Sequence, residues 1–144
     1  MRSETATTPA TTAGMTAGLE YVALLECYLL GDCVSDPKFK NAVIDAIIDR
    51  SQTSVNGIRY IPHVKTIRNF YGKSPKSSPL RQLLVDIWVN AVHSPKWLER
   101  HRLEESSLLS TDFILDLAIE LLKRRHGSTK LKPNSHYHEP VTNK

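Results

Sequence analysis

The feature that most constrains this chain is the width of the apolar face on its helical segments. With residues placed about 100° apart around a helix, Phe39, Ala42, Val43, Ile44, Ala46, Ile47 and Ile48 span roughly 240° of one segment. Lys38, Asp45 and Asp49 share its narrow polar face. A later segment behaves alike: Leu80, Leu83, Leu84, Val85, Ile87, Trp88, Val89, Ala91 and Val92 leave Asp86 and Asn90 outside. In the last one, Asp112, Asp116 and Glu120 form an acidic stripe at i, i+4 spacing and the rest is apolar. The first, around Tyr21, Val22, Leu24, Leu25, Tyr28, Leu29 and Leu30, is apolar nearly all round. A surface helix needs an apolar stripe only a little over about 100° wide. Four helices with twice that cannot all bury it against one another in a small bundle, so part of it faces solvent or a partner.

No stretch shows sustained period-2 alternation, so the pattern predicts an all-α fold, an irregular five-helix bundle with disordered tails. The first helix is expected from Leu19 to Leu30, ending at a left-handed Gly31. Asp36 caps the second, Pro37 takes its first position, and it runs to Arg50. Asn56-Gly57 signals a turn. A third helix covers Pro62 to Tyr71, and a fourth starts at Ser78-Pro79 and reaches Val92. A single turn is expected around Trp97, after the break at Pro95. Ser110 or Thr111 caps the last helix, which runs from Asp112 to His126. The domain reading is a disordered leader over 1–17, a helical domain over 18–127 and a disordered basic tail over 128–144.

Charge follows the same division. Residues 123–144 hold six Lys or Arg and one Glu, for +5, so of the net +4 the rest of the chain carries −1. The basic pI belongs to the tail rather than to a nucleic-acid-binding fold. No signal-peptide-length apolar stretch occurs at the N-terminus, and no run approaches the ~18 apolar residues of a membrane span. Two cysteines make no disulfide framework. These features predict an intracellular protein, cytoplasmic or nuclear.

No catalytic constellation emerges, and the chain reads as not an enzyme, with no cofactor, metal site or small-molecule substrate. Cys27 and Cys33 would need two further ligands to hold zinc, and His63, His93, His101, His136 and His138 are scattered. The carboxylates at 45/49 and 112/116/120 lie on faces expected to be solvated, where nothing shifts a pKa. The six glycines are isolated breakers, not a phosphate loop. One basic cluster, Lys123, Arg124, Arg125, Lys130 and Lys132, complements a helix C-terminus or serves nuclear import or nucleic-acid contact.

The stretch "LLECYLLGDCVSDPKFKNAVIDAIIDRS" resembles the two-helix segment near the end of BTB/POZ domains, particularly fungal ones. Leu24, Tyr28, Leu30, Gly31, Asp32, Asp36, Pro37, Phe39, Lys40, Asn41, Ala42, Ile44, Asp45 and Ile48 carry the likeness. "IPHVKTIRNFYGKSPKSSPLRQLLVDIWV" and "STDFILDLAIELLKRR" are similar to the region C-terminal to that domain in fungal members, so the resemblance covers residues 19–126. It implies a non-enzymatic protein–protein interaction module. A complete domain of this family opens with a strand-rich half, for which the 18-residue leader has no room. The expectation is therefore a truncated C-terminal half whose first helix has lost its cover. Its partner or self-association face is expected at Tyr21, Val22, Leu25, Leu29, Ile44, Ile48 and Trp97. Two alternatives are nucleic-acid or nuclear-import association through the basic segment, and a truncated product without independent function.

Overall fold

A computed structural model describes residues 9–91, 99, 110–124 and 131–141. Among them are five α-helices: α1 (Pro9–Cys33), α2 (Pro37–Gln52), α3 (Val64–Lys73), α4 (Pro79–Ala91) and α5 (Thr111–Lys123). A minimal hairpin of β1 (Ser54–Val55) and β2 (Ile58–Arg59) and a 3₁₀ turn at Asn134–Tyr137 complete the set. The all-α architecture expected from the pattern is present. No described helix is long and apolar enough to cross a membrane.

Local chemistry explains most boundaries. The Asp36 side chain accepts from the Phe39 amide at 3.0 Å and Pro37 occupies the first turn, so α2 starts where a cap and a preset φ coincide. Ser110 does the same for α5 through the Phe113 amide at 3.3 Å. The Asn56-Gly57 signal is a hairpin turn, both residues having positive φ (55° and 78°), as a type I′ turn requires.

The join of α1 to α2 differs from expectation. Gly31 stays helical, and the left-handed residue is Ser35 (φ 53°). The Asp36 amide reaches the Gly31 carbonyl at 3.0 Å and the Ser35 amide reaches Asp32 at 3.2 Å, a Schellman closure. Glycine serves a close approach at position 31: an added Cβ would lie 2.5 Å from Lys40 Cγ and 3.0 Å from a Phe39 ring carbon.

Both expected tails are shorter than the pattern suggested. Helix α1 begins at Pro9, inside the segment read as a disordered leader. Its added length is held by packing rather than propensity, since Ala17 is fully buried and Gly14 abuts the Tyr60 ring. At the other end, residues 131–141 fall within the expected disordered tail and lie as a strap across the bundle. Asn41 grips the Glu139 backbone with two hydrogen bonds, donating to its carbonyl at 3.0 Å and accepting from its amide at 2.9 Å. Lys40 bridges Asp32 and Glu139. Asp45 meets Asn134 and His138, and Tyr137 is buried. The turn expected around Trp97 lies outside the described residues.

The core is one cluster drawn from every helix and from Tyr137. Tyr28 and Phe70 pack edge to face, and Trp88 and Tyr71 each do so with Phe113. Helix α4 runs through the middle, with Leu83 to Val89 buried without a break.

Four buried tyrosines carry a pH consequence. Burial is the main cause raising the pKa of Tyr21, Tyr28, Tyr71 and Tyr137 above the phenol value of 10.0. The carboxylates of Glu139, Asp116 and Asp86 reinforce it at Tyr28, Tyr71 and Tyr137 respectively. Since folding raises these values, the stability tied to the neutral phenols is complete below about pH 10 and is lost as pH climbs through the folded values. Phenolate absorbance and circular dichroism, followed together with pH, should therefore change in one cooperative step above pH 10. Independent titration of all tyrosines near 10 with helicity intact would contradict the burial.

Candidate interaction surface

Helix α5 is seated opposite to the way its sequence suggested. The acidic stripe was expected to face water, yet only Asp112 at its start does so. Asp116 accepts from the Tyr71 hydroxyl at 2.9 Å. Glu120 is buried and accepts from Arg124 Nε at 2.5 Å and Gln82 Nε2 at 3.2 Å. Burial pushes the Glu120 carboxyl up, but the Arg124 guanidinium outweighs it and holds the carboxyl below its ordinary value.

The reason lies on α4. Asp86, expected at the solvent edge, is 0% exposed. It accepts from Arg124 Nη2 at 2.6 Å, from the Tyr137 hydroxyl at 2.6 Å and from Gln82 at 2.9 Å. A buried carboxylate must be paired, and Arg124 sits one turn past Glu120, where it can reach both. Phe113, Leu117, Glu120 and Arg124 therefore form the inner face of α5.

The consequence appears on the far side of the helix. Leu115, Ile119 and Leu122 are 58%, 44% and 63% exposed, and Ala118 is exposed between them. The spacing i, i+3, i+4, i+7 makes one continuous stripe. Leu121 is exposed on one flank, and Asp112 and Lys123 stand on the other. The apolar excess noted in the sequence reaches the surface here.

The expected partner residues fare differently. Tyr21, Leu25, Ile44 and Ile48 are buried in the chain's own core, because α1 and α2 pack on each other and Tyr21 donates to the Tyr60 carbonyl at 2.6 Å. They are corrected from partner face to core. Val22 is exposed and Leu29 half-buried, both lining a cleft between α1 and α3 with Phe70. Trp97 lies outside the described residues.

Of the expected basic cluster, three residues are described. Arg124 turns inward to Asp86 and Glu120. Lys123 and Lys132 are exposed, and Arg125 and Lys130 lie outside the described residues. Cys27 and Cys33 are free thiols, and no group of metal-ligating side chains occurs among the described residues.

Comparison with known proteins adds no relative: no family model matches the chain, nor does any curated protein or solved structure.

Proposed function

We propose that the chain is a non-enzymatic protein–protein interaction module, intracellular, that meets another polypeptide through the outward face of α5. The observation behind this reading is the Leu115–Ile119–Leu122 stripe, a helical apolar face left in water while the acidic side of the same helix is turned inward. A solvated apolar stripe costs solubility and is maintained where a partner covers it. The BTB/POZ resemblance of residues 19–126 supports the same class of function. The alternative of nucleic-acid contact through the basic segment loses Arg124 to the interior.

Lysine-directed cross-linking of the full chain in cells of its source tests the reading. Intermolecular links should concentrate at Lys123, beside the stripe, over Lys38 and Lys65 on other faces. They should disappear in the Leu115→Glu/Leu122→Glu variant. An absence of links at Lys123, or links unchanged in the double variant, would sink the proposal.

A further inference from the structure

We infer that the occupant of the α5 face is a second copy of the same chain, docked with its own α5 antiparallel across a two-fold axis. This rests on the interaction reading above and names the partner. The argument is register and charge. An antiparallel pairing centred between Ala118 and Ile119 places Leu115 of each copy against Leu122 of the other, and Ala118 against Ile119. Small then faces large, and the apolar stripe is matched end to end.

The same register settles the charged flank. Stepping about 100° per residue from Leu115, Asp112 and Lys123 fall within about 20° of one another on one side of the stripe. A two-fold axis perpendicular to the two helix axes keeps that side facing that side and reverses direction along the helix. Asp112 of one copy then lies about 3 Å along the axis from Lys123 of the other, at 1.5 Å per residue. Two such pairs form per dimer. Both residues are exposed, and neither has an ion-pair partner among the described residues. A parallel pairing, whose two-fold axis runs along the helices, would set this charged flank against the Leu121 flank of the other copy and form neither pair. Antiparallel docking also sets the two helix dipoles head to tail.

The area sets the strength. One helical stripe covers much less than the ~800 Å² per partner of a standard interface. The dimer is therefore a weak, isologous one, dissociating on the order of 100 µM.

Analytical ultracentrifugation of the full chain across a concentration series tests this. The expected result is a reversible monomer–dimer equilibrium, abolished by Leu115→Glu/Leu122→Glu. Asp112→Lys or Lys123→Asp alone should weaken dimerisation roughly tenfold, because each converts two attractions into two repulsions. The double charge swap should restore the wild-type constant. Each swap opposes the α5 dipole and lowers thermal stability, in single and double variants alike. Recovery of the dimer in the double swap alone therefore isolates the contact from helix stability. A chain that stays monomeric at millimolar concentration, or a double swap no better than either single one, overturns the second-copy assignment. If cross-links from Lys123 still reach a different polypeptide, the interaction reading survives; if there are none, both fail.

Discussion

Asp86→Ala is expected to destabilise the chain by about 3–5 kcal/mol, the range seen when one member of a buried ion pair is removed. The carboxylate is completely buried at the centre of α4 and takes hydrogen bonds from three different elements: Gln82 on its own helix, Arg124 at the end of α5, and Tyr137 on the strap. Truncation takes one buried carboxylate away from the Arg124 guanidinium, and leaves the Tyr137 hydroxyl without the acceptor it donates to. A typical domain has only about 5–15 kcal/mol to lose. Urea unfolding followed by circular dichroism reads the loss, and hydrogen exchange should show residues 131–141 opening ahead of the helices. Asp86→Asn, which keeps the shape, should cost less. Asp86→Ala and Tyr137→Phe should be non-additive, since both remove the same Tyr137–Asp86 hydrogen bond. A loss below about 1 kcal/mol for Asp86→Ala would show that water reaches the site.

The same carboxylate shows where sequence reasoning stops. On a helical wheel Asp86 is one charge in an apolar run and is assigned to water by default. Its burial depends on Arg124, 38 residues away, and Tyr137, 51 away, and no local pattern connects them. One signal was available: from Leu83 to Val89 the run has no other polar residue, so a solvated edge there would be a single side chain wide. Local chemistry was legible by contrast. The caps at Asp36 and Ser110, the Asn56-Gly57 turn and the interior place of Trp88 follow from residue type and spacing. Tyr21, Leu25, Ile44 and Ile48 are as apolar as the pattern says, but periodicity measures how much surface a helix must cover and not which neighbour covers it. The wide arc of α5 is ambiguous for the same reason. Apolar residues lie on both sides of its acidic stripe, and the choice between them is made by Asp86, Tyr71 and Gln82 on other helices. The extension of α1 back to Pro9 and the clasp of Asn41 on Glu139 are likewise tertiary, and weak local propensity gives no warning of either.

Trp88→Ala should also cost about 3–5 kcal/mol, through a different mechanism. The indole is 1% exposed, its ring stands edge to face on Phe113 with centroids 5.5 Å apart, and its N–H donates to the Pro62 carbonyl at 3.0 Å. Alanine leaves a large cavity between α4 and α5 and strips that carbonyl of a buried donor. Trp88→Phe keeps most of the volume and should lose about 1–2 kcal/mol, chiefly the hydrogen bond. The variant also bears on the outer face of α5. Leu115, Ile119 and Leu122 form a fixed stripe only while Phe113 and Leu117 hold the opposite side of the helix in the core. With Trp88 gone, Phe113 loses its wall and α5 can roll or fray. Self-association measured well below the melting temperature should therefore weaken in Trp88→Ala and persist in Trp88→Phe, although neither substitution touches the outer surface. Dimerisation unchanged by Trp88→Ala, in a variant shown to be destabilised, would mean that the association face lies elsewhere than on α5.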